Sequence, residues 1–172
     1  MSNILILQGS PRANGNTAWM AEEFKKAAEE AGHTVNVCNV AKMKINGCLA
    51  CEYCHTKGNG QCVQKDDFQQ LLPLYAEADV VVVASPIYYL GMNAATQAAI
   101  ERIYCVMAPQ KMKKMALLLS SMSPMVYDGA IGQYKALCGF FKAQDLGIVT
   151  AKGDEQKTDA TAQKVRDLVK GL

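Results

Sequence analysis

Apolar positions along the chain alternate between short continuous runs and three-to-four-residue spacings. Asn3–Gln8 (NILILQ) is a short apolar run, as expected of a strand covered on both faces. Residues 17–31 carry Met20, Phe24, Ala27, Ala28 and Ala31 at helical spacing. Gly32 follows where a helix-ending glycine belongs. Residues 34–40 read as a second strand, and residues 41–65 follow neither period. Asp66 with Gln69 has the form of a capping box. It precedes a helix with Phe68, Leu71, Leu72 and Tyr75 on its apolar face. Pro73 inside that helix predicts a kink or a break. Residues 78–84 (ADVVVVA) form the most buried-looking strand. Residues 93–107 read as a helix striped by Ile100, Ile103, Tyr104 and Met107. A strand at 114–120, a helix at 129–143, a strand at 146–151 and a helix at 158–170 complete the chain.

Strict alternation of strand and helix predicts a parallel sheet with helices on both faces, because parallel neighbours need right-handed crossovers. Five strands and five helices suit the flavodoxin-like α/β class, a doubly wound parallel sheet of order 2-1-3-4-5. The 172 residues show no linker or repeat and fit one domain, residues 1–172. No apolar run is long enough to cross a bilayer, and the first residues lack a signal peptide's basic region. The expected compartment is the cytoplasm. A net charge of +2 with signs interspersed does not point to nucleic acid. Seven cysteines are many, and an odd count in a reducing compartment argues against a disulfide framework.

In such sheets ligands sit beyond the carboxyl ends of the strands, at the switch between strands one and three. The loop after strand one is GSPRANGNT, residues 9–17. Its small residues let backbone N–H groups converge at a helix N-terminus, a favourable place for a phosphate. Arg12 adds positive charge, while Ser10, Asn16 and Thr17 add donors. The plainer reading is a polar loop that only caps the helix. The loop after strand three is SPIYYLGMN, residues 85–93. Apolar and aromatic residues at a strand end suit a planar ligand; equally, Tyr88 and Tyr89 suit core packing or a subunit contact. Gln8-Gly9 and Ser85 replace the acids of a response-regulator receiver, and no Cys-x5-Arg phosphatase loop follows strand one.

GSPRANGNT and SPIYYLGM resemble the NADPH-dependent FMN reductase group of flavodoxin-like proteins. The resemblance implies non-covalent FMN, two-electron chemistry with NAD(P)H as transient co-substrate, and a homodimer. By matching position it implies that Ser10, Arg12, Asn14, Asn16 and Thr17 bind the phosphate. Pro86, Ile87, Tyr88, Tyr89, Gly91 and Met92 would line the ring, and in the loop after strand four Ser120, Ser121 and Ser123 are candidate polar groups near it. No catalytic side chain is expected, because the flavin carries the chemistry. The implied activity is an FMN-dependent oxidoreductase passing electrons to a small-molecule or protein acceptor.

Cys48, Cys51, Cys54 and Cys62 are spaced x2, x2 and x7. That run is similar to the compact motif of the iron–sulfur flavoprotein branch, which carries a [4Fe–4S] cluster beside FMN. The wide last gap departs from it. Zinc, or free thiols in a loop covering the flavin, remain as alternatives. Cys38, Cys105 and Cys138 fall on regular elements and read as small buried hydrophobes. His55 reads as an exposed loop residue. The competing functions are a flavodoxin-type electron carrier without its own substrate and a thiol-based redox sensor using Cys51 and Cys54.

Overall fold

The structure is a computed structural model that describes residues 1–172. Its strands are β1 (Asn3–Gln8), β2 (Thr34–Asn39), β3 (Val80–Tyr88), β4 (Gly91–Met92), β5 (Lys114–Ser121) and β6 (Gln144–Lys152). Its helices are α1 (Asn16–Glu30), α2 (Tyr53–Thr56), α3 (Phe68–Glu77), α4 (Ala94–Glu101), α5 (Asp128–Phe141) and α6 (Asp159–Val169). The main sheet runs β2-β1-β3-β5-β6, and every pair along it is parallel. This is the expected flavodoxin-like order with one correction. β4 is an extra two-residue strand, antiparallel to the end of β3 and off the main path.

The continuous apolar runs serve two faces at once. Leu5, Leu7, Val81, Val83, Leu117 and Leu119 point to the side that carries Phe68, Leu71 and Tyr75 of α3 and Tyr134 of α5. Ile4, Ile6, Val80, Val82 and Leu118 point to the other, against Met20 and Phe24 of α1 and Val165 of α6. Burying a side chain of this size is worth about 1.5–3 kcal/mol, so alternation within each strand fixes the sheet between two helical layers. β2 is an edge strand and is largely exposed. No helix is long and apolar enough to cross a membrane.

Three local expectations need correction. The helix expected at 93–107 is α-helical only to Glu101; Arg102–Val106 is a 3₁₀ turn. That tighter winding stacks residues three apart, so Arg102 and Cys105 turn inward while Tyr104 and Met107 are exposed. The capping box at Asp66 does not form. The Asp66 carboxylate binds the Arg102 guanidinium at 2.7 and 3.1 Å instead, and α3 begins at Phe68 without a side-chain cap from the preceding residue. The bond of Asp66 to the Phe68 N–H survives at 3.2 Å. Lastly, α3 runs through Pro73 without a break.

Candidate functional site

The loop between β1 and α1 is a tight turn built around its own backbone. The Arg12 N–H donates to Ser10 Oγ at 3.2 Å, and the Gly15 N–H donates to the Arg12 carbonyl at 3.0 Å. A Cβ on Gly15 would stand 2.8 Å from Ser10 Oγ and 3.1 Å from the Arg12 carbonyl, so a larger residue would have to push the Ser10 hydroxyl aside. Gly15 is also the N-cap of α1 and has no side chain with which to cap it. The first-turn N–H groups of a helix have no intrahelical acceptor, and here no N-cap side chain accepts from them. Thr17 is buried, and its Oγ1 lies 2.6 Å from Ser120 Oγ.

Beside this loop lies a cavity of about 260 Å³. Ser10, Arg12, Asn14, Asn16 and Thr17 line one side, and Pro86, Ile87 and Tyr88 line the other. Ser121 borders it too, with Ser120, Met122 and Gln156. A cradle of free N–H groups at one end and a strand-end apolar wall at the other fits a phosphorylated planar cofactor. The structure does not bring Tyr89, Gly91 or Met92 to this cavity. β3 leaves the main sheet and pairs with β4, Ile87 with Met92 and Tyr88 with Gly91. Tyr89 and Leu90 form the two-residue turn, both at positive φ, 47° and 70°. Tyr88, Tyr89 and Leu90 are exposed, whereas Met92 is buried in the core.

A buried polar knot holds the ends of β1 and β3 together. Asn93 Nδ2 donates to the Gly9 carbonyl at 2.6 Å, and its Oδ1 accepts from Thr96 Oγ1 at 2.6 Å. The Asn93 N–H donates to Ser85 Oγ at 3.1 Å. Gly9 permits this: a Cβ there would meet Thr96 Oγ1 at 2.1 Å.

The cysteine segment forms a second, much smaller cavity of about 20 Å³. Cys48, Cys51, Cys54 and Cys62 border it, and Cys105 joins them from the 3₁₀ turn. Cys48 and Cys51 are exposed, Cys62 is half-buried, and Cys54 and Cys105 are buried. Burial pushes the Cys54 thiol up, and Cys62, Glu52 and Cys48 add to that. Burial likewise pushes Cys105 up to about 11. The thiols share a cavity, but no three His, Cys, Asp or Glu side chains are gathered closely enough to hold a metal ion. This cavity has no lining residue in common with the phosphate-type cavity.

Charged contacts organise this segment. Arg102, only 1% exposed, pairs with Asp66 and donates to the Asn46 carbonyl at 2.9 Å. Its guanidinium lies over the Phe68 ring, 4.8 Å from the centroid. His55 bridges the Glu52 carboxylate at 2.9 Å and the Tyr104 carbonyl at 2.8 Å. The Tyr104 hydroxyl donates to Glu52 at 2.8 Å. Those bonds from Tyr104 and His55 hold the Glu52 carboxyl below its usual range. Cys38 is half-buried and Cys138 is buried.

The profile of the family described as NADPH-dependent FMN reductase matches residues 2–168. The chain belongs to that family. Within it, an iron–sulfur flavoprotein of Archaeoglobus fulgidus is 40% identical over 95 residues, 55% of this chain and 42% of the relative. An iron–sulfur flavoprotein of Methanocaldococcus jannaschii is 31% identical over 99 residues, 58% of this chain and 50% of the relative. The matched stretch spans about half the length of these relatives. An azoreductase structure from Bacillus anthracis superposes with a TM-score of 0.75 at 18% identity, covering 100% of both chains. The NAD(P)H:quinone oxidoreductase of Methanothermobacter marburgensis gives 0.70 at 15% identity, with 99% of this chain and 96% of that chain covered. At such identities the two structures establish the shared fold.

Seen as an FMN reductase family site, the cavity includes residues that sequence reasoning passed over. Gln156 is the main one. Its Nε2 donates to the carbonyls of Ser121 at 2.6 Å and Ala151 at 3.2 Å, and its Oε1 accepts from Asn16 Nδ2. Next to it, Lys157 Nζ donates to the Asn14 carbonyl at 2.8 Å. Both residues follow β6, whose carboxyl end opens on the same side as that of β1. That topological fact was the available signal. Asn93, Ser85 and Thr96 carried none, because their roles exist only once the strand ends meet.

Proposed function

We propose that the protein is an FMN-dependent oxidoreductase that takes hydride from NAD(P)H and passes electrons to a small-molecule or protein acceptor. The observation that carries this reading is the uncapped N-terminus of α1 opening into a cavity walled by Pro86–Tyr88. Ser10, Asn16, Thr17 and the first-turn N–H groups hold the phosphate, with Arg12 supplying charge at the rim. Pro86, Ile87 and Tyr88 flank the ring, and Ser121 offers a polar group at its edge. Bound flavin supplies the capacity to accept a hydride and release electrons. Gln156 and Lys157 keep the phosphate loop closed from the β6 side.

The free apolar surface at Tyr88, Tyr89 and Leu90 supports a homodimer in which that hairpin is covered. Seven unpaired cysteines support a reducing, cytoplasmic setting. The test is direct. Purified protein should bind about one FMN per chain, prefer it to riboflavin, and oxidise NADPH or NADH when a quinone is added. Equal affinity for FMN and riboflavin would remove the phosphate role of the first loop.

A second reading has its own observation. Four closely spaced cysteines border one cavity, and iron–sulfur flavoproteins are among the relatives. On that reading Cys48, Cys51, Cys54 and Cys62, which stand apart here, would have to close around a [4Fe–4S] cluster, and the protein would carry electrons between partners. Anaerobic reconstitution with iron and sulfide, followed by iron analysis and low-temperature EPR, decides it. Trace iron, together with flavin reduction unchanged in the four Cys→Ser variants, leaves the loop as a cover.

A further inference from the structure

A third cavity is larger than either of these two. It measures about 470 Å³ and lies on the α1 side of the sheet, at the carboxyl ends of β1 and β2. Such a volume suits a small organic ligand. Gln8 and Asn39, the last residues of their strands, are register partners and stand side by side in its wall. Gln8 is only 4% exposed. Its Oε1 and the Oδ1 of Asn39 are buried without any hydrogen-bond partner. Leaving a buried amide oxygen unpaired is costly, so two in one cavity wall need an explanation. Trp19 of α1 borders the same cavity, and so does Lys157. An ammonium has three donors, and Lys157 spends one on the Asn14 carbonyl. Asn14 borders both this cavity and the phosphate-type cavity.

We propose that this cavity binds the adenosine monophosphate moiety of a nucleotide. A primary amide presents an acceptor and donors in one plane. That pattern matches the N6–H and N7 edge of adenine, the usual partner of Gln and Asn. An indole beside two amides gives the base a stacking surface. Lys157 then meets the phosphate with its remaining donors. The position obeys the rule that ligands of doubly wound sheets sit beyond strand carboxyl ends. The inference stands on the cavity itself and does not depend on the flavin reading.

Trp19 is the only tryptophan in the chain, which makes its fluorescence a local probe. The protein, with and without added FMN, is titrated with AMP, with ribose 5-phosphate and GMP as controls, and binding is checked by calorimetry. AMP quenches Trp19 and binds at least tenfold more tightly than either control. Gln8→Leu replaces an unpaired buried amide with an apolar group, keeps the melting temperature, and weakens AMP at least tenfold. Asn39→Leu, on the exposed edge strand, repeats that loss where Gln8→Leu folds poorly. FMN affinity, read separately from flavin fluorescence, stays unchanged in both variants. An NADPH arm names the source: tighter binding than AMP identifies a pyridine nucleotide, and weaker binding identifies a free adenine nucleotide. AMP binding no better than ribose 5-phosphate overturns the proposal, as does unaltered AMP affinity in the leucine variants.

Discussion

The phosphate-type loop and the cysteine loop both follow a strand of the same sheet, yet they are held by different forces. Residues 9–17 are closed mainly by short-range bonds among Ser10, Arg12 and Gly15, with Asn93 holding the Gly9 carbonyl, between a buried strand end and a helix start. Residues 41–65 are held from outside, by Arg102 through Asp66 and Asn46, and by Tyr104 through Glu52 and His55. The first loop stores its function in local backbone geometry. The second depends on side chains delivered by a distant 3₁₀ turn. Removing those side chains therefore disturbs the cysteine region while the phosphate loop stays in place.

The largest expected effect tests that dependence. Arg102→Leu strands the Asp66 carboxylate, whose side chain is 8% exposed, and breaking a buried pair costs about 3–5 kcal/mol. Denaturant unfolding should show this loss, with FMN affinity in the surviving folded fraction little changed. The pair also gives a pH signature. Burial pushes the Asp66 carboxyl up, but bonds from Arg102 and the Asn46 N–H outweigh this and hold it below its ordinary value. A depressed carboxyl contributes stability above its unfolded value, near 3.8, and that contribution is lost as pH falls through the lower folded value. Asp66→Asn should therefore lower stability at neutral pH and lose most of its difference from the native protein in strong acid. A difference that persists in acid would mean the pair is not what holds the segment.

The next effect belongs to the other loop. Thr17→Val removes a buried hydroxyl at the cradle and should weaken FMN by about 1.5–3 kcal/mol, the range for a bond to a charged group. Riboflavin affinity should hardly move, since riboflavin has no phosphate to lose. Thiol accessibility at Cys48 and Cys51 should stay the same. Parallel losses of FMN and riboflavin would mean that Thr17 acts through Ser120 on the ring end.

That contrast also explains what the sequence made legible. The sheet order followed from alternating runs, because a strand buried on both faces must be apolar at every position. The turn after β1 was legible because Ser10, Arg12 and Gly15 bond to one another where they stand in the chain. The arrangement around the cysteines was not. Arg102 lies on what reads as a regular helix, and only the 3₁₀ turn swings it and Cys105 inward. The capping box at Asp66 misled for the same reason: a guanidinium from another segment outcompetes the local N–H groups. Tyr89, Gly91 and Met92 stand outside the lining of that cavity because the chain reverses into a hairpin, and an apolar run at a strand end looks alike as an open loop or as a hairpin.

A smaller effect is expected where the phosphate loop does borrow from a distant residue. Gln156→Ala removes the bonds that tie Asn16 to the ends of β5 and β6. Neutral hydrogen bonds are worth about 0.5–1.5 kcal/mol each, so FMN should weaken by about that amount. The change should appear mainly as faster dissociation in stopped-flow measurements. A loss as large as that of Thr17→Val would place Gln156 in direct contact with the cofactor and narrow the contrast between the loops.

The smallest effect tests the hairpin tip, where local geometry and exposure conflict. Tyr89 and Leu90 both hold positive φ, a conformation that costs ordinary residues about 1–2 kcal/mol each and that Asn-Gly adopts readily in two-residue hairpins. Yet both side chains are large, apolar and exposed. A sequence selected for the turn alone would not place them there, so the strain points to a use for the side chains. The double change Tyr89→Asn, Leu90→Gly separates the two. With the chain dilute and monomeric, it should raise stability by about 1 kcal/mol, or about 2–4 °C in melting temperature. If the tip is a pairing surface, the order should reverse at high concentration, because the variant lacks that surface. Light scattering and melting curves over a concentration series read both effects on one sample. A stabilisation that persists at every concentration, with no change in mass, would show that the exposed tip does not serve pairing.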